Sequence, residues 1–299
     1  MLYFKGMAMG AADAVPGVSG GTIAFISGIY EELINTIKSI DFKAIKLLLS
    51  FNIAEFWRYT NATFLLVLLL GILTSILSLS KLLVYFLENY PIHLWSFFFG
   101  LILASAWLVA RKIPAWSRGT MISLLLGVGL GYLVTVSGVN QTPDNFFFTF
   151  LAGAIAICAM ILPGISGSFM LVLMGKYKYI FESISAFDFK VLFTFALGCL
   201  VGILSFARLV NWLLKKFYNL TIAFLTGIMI GSLNKVWPWK KVLATYIDRH
   251  GEEKAARELS ISPTHYEALG LGESYLLEAI GLAVLGLALV LLLEKAAVL

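Results

Sequence analysis

Charge is scarce in this chain: Asp, Glu, Lys and Arg make up 13% of its 299 residues, about half the share found in soluble domains, while 60% are hydrophobic. With a mean hydropathy of +0.91, a soluble globular fold is excluded and an integral membrane protein is expected. Histidine occurs only at His93, His250 and His265, so there is no His-Glu-x-x-His pair, and no Asp-rich or nucleophile-elbow arrangement accompanies it. This argues against a membrane-embedded phosphatase or transferase; no catalytic residue, metal or cofactor is expected. Cysteine occurs twice, at Cys158 and Cys199, each within apolar sequence, which reads as two buried small hydrophobes and not a disulfide. The chain does not open on a basic segment leading to a small-residue cleavage site, so its N-terminus is expected to be retained. Its net charge of +5 is spread over short connections, without the basic stripe that nucleic acid requires.

What the chain does have is an internal repeat. Ala14-Val15-Pro16-Gly17-Val18-Ser19-Gly20-Gly21-Thr22 returns as Ile161-Leu162-Pro163-Gly164-Ile165-Ser166-Gly167-Ser168-Phe169. At the same offset of 147, Gly6 matches Gly153, Gly28 matches Gly175, Tyr30 matches Tyr177, and Asp41-Phe42-Lys43 matches Asp188-Phe189-Lys190. Beyond a 20-residue insertion in the first copy, near residues 44–70, the offset becomes 127: Gly71 with Gly198, Lys81 with Arg208, Gly100 with Gly227, Ser105 with Ser232. Glycine spacing alone reflects helix packing in lipid, but matched Pro, Ser, Tyr, Asp and Lys mark two copies of one unit, residues 1–147 and 148–299.

Apolar runs at 62–87, 92–109, 119–137, 190–214, 219–234 and 273–293 predict six spanning helices. The connection carrying Arg111, Lys112 and Arg118 is basic, whereas Ser137–Phe146 has no Lys or Arg, which places the former, and both termini, in the cytoplasm. The segment 240–272 interleaves both signs of charge and reads as a small, helical, solvated cap, with Ser262-Pro263 as N-cap and first helical residue near its end.

The apolar arms before the two Pro-Gly turns, about 14 and 15 residues, are too short to cross comfortably. Proline breaks each helix and glycine relaxes the backbone, so each segment is predicted to re-enter the membrane as a hairpin. Two such hairpins with three crossings per copy give an inverted repeat, the architecture of many secondary transporters. An all-α transporter with two re-entrant hairpins is therefore the expected fold.

Each turn leads into a new half-helix whose free amides and dipole favour an anion. Gly17, Ser19, Gly20, Gly21 and Thr22 in one copy, and Gly164, Ser166, Gly167 and Ser168 in the other, are the candidate phosphate-binding groups. The alternative is that they only cap their helices. Lys81 and Arg208 occupy equivalent intramembrane positions and suit a phosphate, unless they snorkel to the headgroups. Asp13, where the second copy has Met160, and Glu278 in the final span are candidates for coupling to a proton or sodium ion; a structural ion pair or helix cap is the alternative reading. Glu31 and Glu32 read as interfacial, and Tyr30, Tyr177, Trp237 and Trp239 as anchors in the aromatic belt.

Lys5-Gly6, Met9-Gly10-Ala11-Ala12-Asp13, Pro16-Gly17-Val18-Ser19-Gly20-Gly21-Thr22, Gly28-Ile29-Tyr30-Glu31 and Leu162-Pro163-Gly164-Ile165-Ser166-Gly167-Ser168 together closely resemble the bacterial polyprenyl-phosphate transporter family, long classed as a domain of unknown function. The resemblance implies movement of undecaprenyl phosphate, the lipid carrier of cell-wall assembly, from the outer to the inner leaflet of the cytoplasmic membrane for reuse. It also implies that the motif residues around Ser19 and Ser166 hold the phosphate. Read from the residues alone, a small-anion channel or antiporter of the same architecture is the rival.

Overall fold

In the computed structural model, residues 1–13, 19–140, 142–247 and 253–298 are described. The first half comprises α1 (Leu2–Asp13), α2 (Gly20–Ile26), α3 (Tyr30–Lys38), α4 (Phe42–Leu49), α5 (Ile53–Tyr59), α6 (Ala62–Asn89), α7 (Pro91–Ala110) and α8 (Arg118–Val136). The second comprises α9 (Phe146–Ile161), α10 (Gly167–Leu173), α11 (Tyr177–Ser185), α12 (Phe189–Lys216), α13 (Tyr218–Ser232), a hairpin of β1 (Lys240–Ile247) and β2 (Glu253–Ser260), α14 (Pro263–Ala268) and α15 (Leu276–Val298).

Among the described residues, four helices are long and apolar enough to cross a membrane: α6, α7, α8 and α12. The other two expected spans are α13, with 15 residues, and α15, whose apolar stretch runs Leu276–Leu292. This is a predominantly helical, multi-pass membrane protein. By contrast α1 and α9 have 12 and 16 residues, about 18 and 24 Å at 1.5 Å per residue, short of a hydrocarbon core about 30 Å thick.

Glycine contacts set the helix pairs. A Cβ on Gly6 would stand 2.4 Å from Leu68 O, and one on Gly71 2.2 Å from Tyr3 O, so α1 and α6 touch backbone to backbone. In the second half, Gly153 and Gly198 bear the same relation to Phe195 O and Phe150 O, at 2.3 and 2.1 Å, joining α9 to α12. Sequence-matched glycines thus make matching contacts. The remaining long helices pair across the halves, α7 with α15 through Gly100 and Gly286, and α8 with α13 through Gly127 and Gly227. The free thiols of Cys158 and Cys199 lie at the α9–α12 contact, directed at the carbonyls of Gly202 and Gly153.

Matched residues also do matching local work. Asp41 accepts from Ala44 N–H to start α4, and Asp188 accepts from Lys190 and Val191 N–H to start α12. The first-half insertion is the α4–α5 pair, which separates this start signal from the long helix α6. Gly28 and Gly175, at φ +75° and +67°, close α2 and α10. In both, the amide after the glycine reaches back five residues, Ile29 to Ala24 O and Lys176 to Leu171 O, a Schellman end that a left-handed residue makes possible.

The segment 240–272 departs from the helical cap expected of it. β1 and β2 pair antiparallel, with Val242 opposite Glu258 and Thr245 opposite Ala255, and among the described residues of the segment only α14 is helical, starting at Ser262-Pro263 as read from sequence. Val242, Thr245, Tyr246 and Ile247 favour a strand, and pairing to that strand overrides the helical preference of the Glu, Lys, Ala, Arg and Leu in β2. Nor is the segment fully solvated. Trp239 is buried and donates its indole N–H to Ser274 O at 2.9 Å, while Trp237 donates to Ile261 O at 2.8 Å. These tryptophans fasten the hairpin to the segment that leads into α15 and to the residues after β2.

Candidate functional site: the junction of the two Pro-Gly turns

Pro16 and Gly17 lie outside the described residues, but Ser19 and all that follows in the first turn are placed. Ser19 is the N-cap of α2: its hydroxyl oxygen accepts from Gly21 N–H at 3.1 Å. The hydroxyl proton points at the second turn, toward Leu162 O at 3.2 Å and Met160 O at 3.4 Å. In return Gly164 N–H donates to Thr22 Oγ1 at 2.9 Å. Ser19 and Thr22 are fully buried, and a Cβ on Gly21 would stand 2.7 Å from Ile161 O. The two turns, some 140 residues apart in sequence, therefore interlock through main-chain groups inside the protein.

The two half-helix N-termini differ. In the first, Asp13 Oδ1 accepts from Gly20 N–H at 2.7 Å, Ser19 Oγ takes Gly21 N–H, and Ser19 O takes Thr22 N–H at 2.9 Å. The Asp13 carboxylate sits on the positive end of α2, as an anion would. In the second, Met160 replaces Asp13, Ser166 caps α10 without a side-chain hydrogen bond, and its hydroxyl lies 2.9 Å from that of Ser168. Ser166 is buried and Ser168 half-buried. Gly167 approaches Ala156 O so closely that a Cβ would stand 2.6 Å away.

Beside this second turn lies an apolar cavity of about 450 Å³, lined by Leu162 and Ile165 of the turn, Met170 of α10, Val134 of α8, Ile155 of α9 and Phe206 of α12. An apolar chain fits such a lining. The second turn also rests on α13: Gly164, at φ +89°, would place a Cβ 2.6 Å from Ser232 Oγ.

Other sequence-predicted residues lie elsewhere. Lys81 is in α6, but its side chain falls outside the described residues. Arg208 is on α12 beside the end of α3, its guanidinium 3.5 Å from Ile40 O, and makes no hydrogen bond to the described residues of the turns. Glu278 is in the first turn of α15, exposed, and pairs with His93 at the N-terminal end of that last apolar helix, away from the turns. Tyr30 is no interface anchor: it is 2% exposed, packed on Phe25, and its hydroxyl has no partner among the described residues.

Three buried polar groups went unread in the sequence. Lys176 is fully buried, donating to Pro143 O at 2.6 Å and to Asp144 at 2.5 Å, and so ties the 137–146 connection to the end of α10. Its signal was a lysine directly after Gly175, where the first copy has Ile29. Asn211 of α12 is buried against α3, donating to Asn35 Oδ1 and accepting from Lys38 Nζ at 3.2 Å. Under the hairpin, Lys235 and Lys240 share the carboxylate of Glu258.

A multi-pass helical protein with two interlocked, proline-broken turns and an apolar cavity beside them is the class that fold and site define. The chain belongs to the undecaprenyl phosphate translocase-like family, whose model matches residues 9–254. It is 43% identical to a polyprenyl-phosphate transporter of Vibrio cholerae over 98% of this chain and 95% of that one. It is 32% identical to a polyprenyl-phosphate transporter of Staphylococcus aureus over 78% of this chain and 84% of that one. No solved structure matches the chain.

Proposed function

We propose that the chain carries a polyprenyl phosphate, undecaprenyl phosphate by the name of its family, from the outer to the inner leaflet of the bacterial cytoplasmic membrane. The interlocked turns carry this reading. Ser166 and Ser168 hydroxyls and the Gly167 backbone receive the phosphate, the cavity bounded by Leu162, Ile165 and Met170 takes the first isoprene units, and the rest of the tail stays in lipid. Such a carrier shelters only a small anionic head and needs no aqueous pore.

The turns act as re-entrant hairpins of an inverted repeat. Lys38, at the end of the first half's α3, reaches Asn211 of α12, whereas Lys190 begins α12 some 21 residues earlier. Those points are about 32 Å apart along the helix, close to the hydrocarbon thickness, a separation that supports opposite orientations for the two copies. The basic Arg111–Arg118 connection supports a cytoplasmic location for both termini.

Asp13 supplies the coupling. While charged it occupies the Gly20 amide and repels a second anion; a proton taken up by Asp13 frees that amide and removes the repulsion as the phosphate arrives. Gly20, Gly21, Ser19 and Thr22 then complete the enclosure from the first turn.

Purified protein in liposomes containing a fluorescent short-chain polyprenyl phosphate tests the reading through loss of outer-leaflet signal to a membrane-impermeant quencher. The expected result is accelerated flipping that Ser166→Ala with Ser168→Ala abolishes. Flux of a small anion such as chloride with no lipid-phosphate flipping would overturn it in favour of a channel.

A further inference from the structure

Lys235, three residues beyond α13, and Lys240, the first residue of β1, both direct their ammonium groups at Oε2 of Glu258, at 2.8 and 3.3 Å. All three are largely withdrawn from solvent, with side chains 17, 9 and 23% exposed. Two cations on one carboxylate leave one positive charge without an anionic partner among the described residues, where desolvation makes an unmatched charge costly. One carboxylate oxygen bridging two ammoniums is also the geometry in which a phosphate oxygen is held, with further oxygens left for other donors.

The place of this trio in the fold gives it meaning. Lys235 Nζ stands 4.6 Å from the centre of the Phe169 ring, and Phe169 directly follows Ser168. Gly164 of the same turn packs on Ser232, three residues before Lys235. Lys240 Nζ lies 5.0 Å from the Trp95 ring of α7 and donates to the Lys235 carbonyl. The cations therefore border the second Pro-Gly turn on the side covered by the hairpin.

We propose that Lys235 and Lys240 form a receiving station for the phosphate monoester head of the lipid, at which the phosphate displaces the Glu258 carboxylate before passing to Ser166 and Ser168. This rests on the chain being a lipid-phosphate carrier. Glu258 is then a resident stand-in: it holds the two ammoniums together while the station is empty and competes with the incoming head.

Binding of a fluorescent short-chain polyprenyl phosphate to the full chain in detergent, followed by anisotropy, tests the station. Lys235→Gln with Lys240→Gln should weaken binding about tenfold, whereas Glu258→Gln should tighten it by removing the competitor. A purely structural trio predicts the opposite for Glu258→Gln, because two lysines would then repel without a counter-ion, lowering thermal stability with no gain in affinity. Unchanged or weaker binding by folded Glu258→Gln protein would overturn the proposal, as would competition by inorganic phosphate at concentrations matching the lipid's, which would make the site one for the free anion. If the glutamine pair does not fold, Glu258→Gln and the charge-preserving pair Lys235→Arg with Lys240→Arg, expected to bind like wild type, carry the test. Wild-type protein that flips no lipid phosphate would refute the carrier function itself; flipping with these binding shifts absent would refute the station alone.

Discussion

Thr22→Val probes the lock between the two turns with little change in shape. Valine replaces the Thr22 hydroxyl by a methyl of similar size, so packing is retained. What is lost is the acceptor for Gly164 N–H, a 2.9 Å bond between two buried groups. A buried amide left unpaired costs about 1–3 kcal/mol, roughly a 5- to 150-fold shift in the equilibrium between locked and separated turns at 1.4 kcal/mol per decade. Thr22→Ser keeps the hydroxyl and should behave nearly as wild type, which separates loss of the bond from loss of the methyl. The assay pairs thermal unfolding in detergent with lipid-phosphate flipping in liposomes. Thr22→Val should unfold earlier and flip more slowly, with Thr22→Ser close to wild type in both. Wild-type stability and flux in Thr22→Val would show that the Gly164–Thr22 bond contributes nothing, and the interlock would lose its energetic basis.

Gly71→Ala and Gly198→Ala should each force apart a helix pair, since the new Cβ would stand 2.2 Å from Tyr3 O or 2.1 Å from Phe150 O; size-exclusion profiles of both should show loss of monodisperse protein. Lys176→Met removes two charge-assisted bonds from a fully buried ammonium and should lower stability by about 1.5–3 kcal/mol, read as earlier unfolding in a denaturant titration in detergent. Asp13→Asn keeps an acceptor for Gly20 N–H but cannot carry a coupling proton, so the pH dependence of flipping should flatten; an unaltered profile would remove Asp13 from coupling. Lys240 is held down to about pKa 8, first by burial and then by the Lys235 charge, against the pull of Glu258. Glu258, held below its usual range by the two lysines despite its burial, stays ionised throughout. Raising pH through 8 should therefore neutralise Lys240 and weaken lipid-phosphate binding in wild type, while Lys240→Arg should hold its affinity across that window.

Much of this was legible because the signals are local or periodic. Apolar runs marked the long helices, and paired Pro-Gly motifs marked the two broken segments, since proline and glycine act on their own backbone wherever they stand. Asp41 and Asp188 were legible only as a repeat match, as were Gly28 and Gly175; their work at helix starts and ends is seen in the structure. The hairpin was missed because β2 is built of helix-favouring residues and becomes a strand only through a partner several residues away. Lys81 and Arg208 match in sequence, yet Arg208 lies beside α3; a matched position gives depth along a helix, not the direction of a side chain. Asp13 reads from sequence as a coupling carboxylate, an ion-pair partner or a helix cap, and the donor it meets is an amide seven residues ahead, brought back by the turn. The Lys235–Lys240–Glu258 trio depends on the hairpin and could not be assembled without it.

The most direct test is a structure of the protein with a short-chain polyprenyl phosphate bound in a lipid nanodisc. Phosphate density within hydrogen-bonding distance of Ser166 or Ser168, with the isoprene chain leaving past Leu162 and Met170, is the predicted result. A head group bound away from both Pro-Gly turns, with the turns still locked together, would contradict the account.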